Sequence, residues 1–172
     1  MVPKCNFSIR SFLGGYDKNF TYLVTCSITN EHILIDAAIS IKKILPFIKK
    51  TPLALLITHS HDDHIAYTKQ YLDFFNNLIV IGHPDSELRK KNKGFKTIAH
   101  NQKFKFGYLN FTSIHTPGHY FDSICYQLNP VLFTGDTLFV GRTGRVVSQK
   151  SNINELYNSV YKEILTLPHN TI

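Results

Sequence analysis

A chain of 172 residues, 43% hydrophobic and 18% charged, has the size and composition of one globular domain spanning 1–172, neither disordered nor membrane-spanning. Its formal net charge of +7 admits anionic partners, but the densest basic run, "RKKNKGFK" (89–96), carries no nucleic-acid motif. That run reads as a solvated loop or helix face, with an acidic substrate or nucleic acid as the alternative.

Cys5, Cys26 and Cys125 are odd in number and lack C-x-x-C spacing, which argues against a disulfide framework or zinc knuckle and for a reducing compartment. The opening "MVPKCNFSIRSF" lacks the apolar run of a leader, and no stretch reaches the ~18 apolar residues of a membrane helix. The expectation is a cytoplasmic protein with no membrane partner.

In chain order, "NFTYLVTCSI" and "EHILIDAA" read as a β-hairpin turning around Thr29 to Glu31. "ISIKKILPFIKK" has apolar residues at helical spacing, against which Pro46 counts. "LALLIT" is a short continuous apolar run, the pattern of a buried strand. Then "IAYTKQYLDFFNN" reads as helix, "LIVIG" as a buried strand and "FGYLNFTSIHT" as an alternating strand. "DSICYQL" and "VLFTGD" are further strands, with Asp122 capping a turn before the first, and "INELYNSVYKEILTL" is an amphipathic helix. Strands mixed with helices at this length predict α/β layers.

The residues with metal chemistry stand where apolar strands end. Directly after "LALLIT" comes the run H-x-H-x-D-H: His59, His61, Asp63 and His64. On an extended loop, side chains two apart point the same way, so His59 and His61 can grip one ion while Asp63 and His64 face a second position. A polar helix cap explains Asp62 or Asp63 alone but not three histidines at this spacing. One loop does not close a site. "HTPGH" offers His119 on a Pro-Gly turn, and "FTGDT" offers Asp136 beside a glycine that permits close backbone approach.

Taken together, H-x-H-x-D-H, H-T-P-G-H and T-G-D-T resemble the metallo-β-lactamase superfamily. "TGDTLFVGRTGR" and "LPHNTI" narrow the resemblance to the branch of glyoxalase II (hydroxyacylglutathione hydrolase) and persulfide dioxygenases, from about Phe20 to Ile172. It implies an αββα sandwich with metals at the edge between two sheets. Carried over residue by residue, His59, His61 and His119 would hold one metal and Asp63 and His64 a second, with Asp136 bridging. In the dioxygenase use of the scaffold, His59, His119 and Asp136 alone would hold one iron. His115 would then hydrogen-bond beneath the site, and Asp36 would support the ligands or form a turn. Arg142 or Arg145 would bind a glutathione carboxylate, the alternative being a loop salt bridge.

Three features depart from the branch. Ile65, Ala66 and Tyr67 replace the glycines common after H-x-H-x-D-H; the 172 residues have no room for a helical glutathione-binding extension; and the last family ligand, a histidine in Pro-x-His, is absent from them. His169 precedes the expected strand and is not a simple substitute. The sandwich is therefore expected to be incomplete at its C-terminus, with an unpaired strand edge and a tendency to self-associate.

The first functional expectation is a thioester hydrolase using metal-bound hydroxide on one or two Zn²⁺, with Asp63 and Asp136 catalytic and a thiol-derived small molecule, such as a glutathione conjugate, as substrate. The alternative is a persulfide dioxygenase on one Fe²⁺. A nucleic-acid-acting member or a non-catalytic remnant stands behind both.

Overall fold

The computed structural model describes residues 7–15 and 17–172. Cys5 lies outside the described residues; Cys26 and Cys125 are buried. The chain forms two compact units: Met1–Ile57, His61–Ile81 and Lys105–Leu109 make the first, and Thr58–Ser60, Gly82–Phe104 and Asn110–Ile172 the second.

In the first unit, strands run side by side in the order β1 (Phe7–Gly14), β2 (Asn19–Cys26), β3 (His32–Ile35), β4 (Ala54–Leu56) and β5 (Ile79–Gly82). β1 pairs antiparallel with β2 from Phe7 opposite Cys26 to Gly14 opposite Asn19. β2 and β3 form the expected hairpin, closed where Cys26 N–H donates to Glu31 C=O at 2.9 Å. From β3 to β5 the pairing is parallel. Parallel strands are covered on both faces, which is why "HILI" and "ALL" are apolar without alternation. Ile33, Leu34, Ile35, Leu55, Leu56 and Val80 are wholly buried, each side chain contributing roughly 1.5–3 kcal/mol.

Two expected elements differ. Residues 39–50 form two 3-10 turns, Ile41–Lys43 and Leu45–Phe47, rather than an α-helix. Pro46 is the second residue of the second turn, where its missing N–H costs nothing, and Ile41 and Ile44 are buried at the three-residue period of a 3-10 turn. The helix expected over 65–77 starts earlier and breaks in two: α1 (Asp62–Ile65) and α2 (Thr68–Phe74). At the break, Tyr67 N–H donates to Ala37 C=O (2.9 Å) and His64 C=O accepts from Ala37 N–H (2.8 Å). The backbone groups that would continue one helix are used to dock the segment instead.

The second unit opens with α3 (Glu87–Lys91) and the two-residue β6 (Lys96–Thr97), so the basic run is divided between a helix end and a loop, with Arg89 to Lys91 in the last turn where cations suit the helix dipole. A four-stranded sheet has the order β10 (Val131–Phe133), β9 (Ile124–Leu128), β8 (Leu109–His115), β7 (Lys103–Phe106). "FGYLNFTSIHT" is thus not one strand: Gly107, at φ 56°, turns β7 into β8. β11 (Leu138–Phe139) and β12 (Arg142–Thr143) form a small separate hairpin.

The C-terminal helix is capped by Asn152, whose side chain accepts from the N–H groups of Asn154 and Glu155. It runs as α4 (Ile153–Asn158) and then widens into a π-turn, Ser159–Ile164. Ile164 packs with Ile114 and Cys125, joined by Leu132, Leu138 and Leu167. At the β10 edge, expected to be unpaired, Ile172 N–H donates to Pro130 C=O and its own C=O accepts from Leu132 N–H, both at 2.8 Å. Among the described residues no helix is long and apolar enough to cross a membrane.

Candidate metal centre

Three of the expected ligands belong to the second unit. His59 is held from both sides of its own backbone. Thr58 C=O accepts from Ile124 N–H at 2.7 Å, and Ser60 N–H donates to Asp122 Oδ1 at 3.2 Å. The Ser60 hydroxyl also donates to Asp122 Oδ2 and lies 2.7 Å from the Ser86 hydroxyl. Asp122 therefore does not cap a turn, as the sequence suggested; it is a buried anchor for the histidine loop. Burial raises its carboxyl pKa, and the Ser60 hydrogen bonds only partly offset that.

His119 follows Gly118, whose φ of 134° only glycine takes comfortably, and a Cβ there would lie 2.1 Å from Leu156 N. The His119 ring is fixed by Nδ1, 2.8 Å from Arg145 C=O. A carbonyl only accepts, so Nδ1 carries the hydrogen and Nε2 holds the lone pair. That Nε2 is 3.6 Å from Asp136 Oδ2. His59 has a ring nitrogen within 4.8 Å of one on His119, and one within 4.8 Å of an Asp136 carboxylate oxygen. The two rings meet edge to face at 5.0 Å.

Glycines allow this closeness. Gly135, at φ 50°, has Thr58 Cβ and Oγ1 2.7 Å from where its own Cβ would stand. A Cβ on Gly144 would be 1.9 Å from Asp136 C=O and 2.8 Å from His119 Nδ1. Nothing in the local pattern singles out Gly144.

The remaining expected ligands belong to the first unit. His61 is the residue before α1, at φ −67°, ψ 141°, and Asp63 and His64 lie in its single turn. His64 is buried, and its Nδ1–H donates to Asp36 Oδ2 at 2.7 Å, which again leaves the lone pair on Nε2. Its Nε2 stands 3.9 Å from Asp63 Oδ2, which also accepts from the Asn19 amide. Asp36 holds a left-handed backbone, φ 58°, that an L-residue seldom adopts, directly after β3. It is the supporting residue anticipated for it. Asn19 was not anticipated, since an asparagine opening a strand carries no signal of its own.

His115 Nε2–H donates to Phe121 C=O at 3.0 Å, and the ring stacks on His83 at 4.3 Å. Burial and the neighbouring His115 hold His83 below the usual imidazole range. Arg142 and Arg145 are both exposed. The Arg142 guanidinium lies 5.1 Å over the Phe139 ring, and Arg145 contributes its carbonyl to His119.

The donor set suits a transition metal. Two buried imidazoles each have Nδ1 on an oxygen acceptor and Nε2 beside a carboxylate, the arrangement by which proteins fix a metal-binding tautomer. Imidazole with carboxylate suits zinc or iron.

Residues 14–172 match the family profile of the metallo-beta-lactamase superfamily. The hydroxyacylglutathione hydrolase of Francisella philomiragia is 35% identical over 158 residues, which are 89% of this chain and 60% of that protein. The chain thus spans about three-fifths of the length of this curated relative. ETHE1 from Myxococcus xanthus superimposes with a TM-score of 0.80 at 28% identity, over 95% of this chain and 72% of that one. TTHA1623, solved in a di-iron-bound form, gives 0.76 at 26% identity over 92% and 87%. With its α/β mixture of sheets and helices and the H-x-H-x-D-H run after β4, the chain belongs to the metallo-β-lactamase superfamily.

Proposed function

We propose that this chain is a metal-dependent hydrolase of glutathione thioesters, similar to hydroxyacylglutathione hydrolase. The observation that carries the metal reading is the pair of buried imidazoles, His119 and His64, each with Nδ1 engaged and Nε2 presented beside a carboxylate. The thioester reading is supported by the 35% identity to a relative with that name.

As the family resemblance implies, His59, His61 and His119 would hold one ion and Asp63 and His64 a second, with Asp136 a further ligand. When bound, the metal lowers the pKa of a coordinated water towards about 7 and polarises the thioester carbonyl. Asp136 keeps its carboxylate fixed against His119 Nε2, and Gly135 and Gly144 let its backbone sit close to Thr58 and His119. Asp63 takes the proton of the attacking water: Asn19 steadies Oδ2, which leaves Oδ1 to receive it. The thiolate departs readily, so no strong general acid is needed. Arg142 or Arg145 pairs with a glutathione carboxylate.

A second reading is a mononuclear iron persulfide dioxygenase using His59, His119 and Asp136. It is favoured by the grouping of those three residues in one compact unit and by the likeness to ETHE1. Elemental analysis of protein purified without added metal, with turnover of a hydroxyacyl glutathione thioester and of a glutathione persulfide, separates the two. Under the hydrolase reading, His61→Ala abolishes thioester turnover as fully as His59→Ala. Iron retained by His61→Ala, with persulfide-dependent oxygen uptake and no thioester hydrolysis in the parent, would overturn it. Full metal retention by both His59→Ala and His119→Ala would sink either reading.

A further inference from the structure

Far along the β1–β2 hairpin from Asn19, the first unit has an open cleft of about 650 Å³. Thr25 in its wall is six residues from Asn19, roughly 20 Å at strand rise. In the antiparallel register, Ser8 stands opposite Thr25 and Arg10 opposite Leu23, so these four side chains share one face of the hairpin. The second 3-10 turn and the residues after it supply the other wall through Phe47 and Lys49.

The chemistry of this wall is one-sided. Arg10 and Lys49 both line the cleft, no acidic residue does, and among the described residues neither cation is ion-paired. The Arg10 guanidinium is held 4.1 Å over the Phe47 ring, which fixes its plane while leaving its N–H edge available. Leu23, buried, and Phe47 give the cleft an apolar surface between the two charges.

A third donor comes from a buried histidine that the metal chemistry does not use. His32 Nε2 accepts from Lys49 N–H at 2.9 Å, so the ring hydrogen sits on Nδ1 and is donated to Thr25 Oγ1, also at 2.9 Å. Burial, then Lys49 and Lys50, hold His32 below the ordinary imidazole range, consistent with one ring hydrogen rather than two. Thr25 Oγ1 is therefore an acceptor towards His32, and its own hydrogen must be given elsewhere. Among the described residues no acceptor takes it, and Thr25 faces the cleft.

We propose that this cleft binds a small organic carboxylate: its oxygens take hydrogen bonds from Arg10, Lys49 and the Thr25 hydroxyl, and its apolar body lies on Leu23 and Phe47. The volume is that of a small-molecule site. This inference is independent of the reaction proposed above.

The test uses the full 172-residue chain, ¹⁵N-labelled, with benzoate as probe, benzamide as its neutral isostere and inorganic phosphate as a bare anion. Benzoate should shift the amides of Ser8, Arg10 and Thr25 saturably. Arg10→Gln and Lys49→Gln should each weaken binding about tenfold, the loss of a charge-assisted bond. Thr25→Val should weaken it a few-fold; its thermal unfolding, followed alongside, shows that the hairpin is intact. A fourth variant, Lys69→Gln, removes a cation that does not line the cleft and should bind like the parent. Benzamide binding as tightly as benzoate would overturn the charge recognition, and phosphate binding as tightly would overturn the apolar half. Benzoate binding unaltered in an Arg10→Gln/Lys49→Gln double variant, or no saturable shift at those amides, would end the proposal.

Discussion

The two compact units hold their histidines by different means. In the second, His119 Nδ1 donates to a main-chain carbonyl, that of Arg145, and the neighbouring glycines bring backbone within van der Waals reach. In the first, His64 Nδ1 faces the carboxylate of Asp36, itself held in a left-handed backbone. A carbonyl is neutral and is fixed by the path of the chain; a carboxylate is charged and can be replaced. The second unit's ligand geometry is therefore sensitive to main-chain position, and the first unit's to one side-chain charge. Carboxylate support also raises the basicity of the imidazole it touches.

The largest effect should come from disturbing main chain. In Gly144→Ala the new Cβ would fall 1.9 Å from Asp136 C=O and 2.8 Å from His119 Nδ1, and neither is the far end of a flexible chain. Metal content after dialysis should fall at least about tenfold, the scale of lost ligand support, while Arg145→Ala, which keeps the carbonyl, retains it. Metal content in Gly144→Ala equal to that of the parent would show that the contrast is mistaken.

A charge change in the first unit should do less, and selectively. Asn tolerates the left-handed conformation of position 36 and its amide oxygen still accepts from Nδ1, so Asp36→Asn removes the charge with little else. Affinity for one ion should fall by about tenfold, the lower end for a supporting carboxylate, with any more firmly held ion unaffected. Stepwise metal titration checks this; an equal loss of every bound ion would erase the distinction between the units.

This division also explains how much of the site was legible in the sequence. The candidate ligands carry their own signal, because histidines and aspartates in H-x-H-x-D-H, H-T-P-G-H and T-G-D-T are rare where strands end. Asp36 was visible for the same reason, a lone carboxylate after "LI". The partners that fix them were not. Asp122 meets Ser60 across 62 residues, and His119 meets a carbonyl that any residue at 145 would supply.

The same holds for the fold. Buried strands such as "ALL" and "HILI" announced themselves by apolar runs. β1 did not: its burial alternates only partly and Leu13 is exposed, so an edge strand looked like an unremarkable N-terminus. The helix break at Ala66–Tyr67 depends on hydrogen bonds to Ala37, and local pattern holds no trace of them.

Ser60→Ala tests the support beneath His59 without touching a ligand. It deletes the hydroxyl that Asp122, Ser86 and the Glu87 N–H share, leaving a buried carboxylate with fewer donors. Unfolding free energy should drop by about 2 kcal/mol. A stability equal to that of the parent in denaturant titration would show that the anchor is dispensable.

The smallest effect is a pH dependence carried by Asp122. Its folded pKa is raised above the unfolded value, because burial outweighs the Ser60 hydrogen bonds. The folded state therefore binds this proton more tightly than the unfolded chain does. As pH falls through the folded pKa, this group adds stability, and the gain is complete below the unfolded pKa of roughly 3.9. Asp122→Asn lacks that response. Measured against it, the parent should gain stability once the pH falls through the raised folded pKa towards about 4, by less than about 1.4 kcal/mol for each unit by which the pKa is raised. Most carboxylates act in the opposite sense, so the difference between the two proteins, not the parent's own profile, carries the signal. A parent that loses ground to Asp122→Asn on acidification would mean that the Ser60 bonds outweigh burial after all, and that the loop bearing His59 is fastened by an ionised carboxylate.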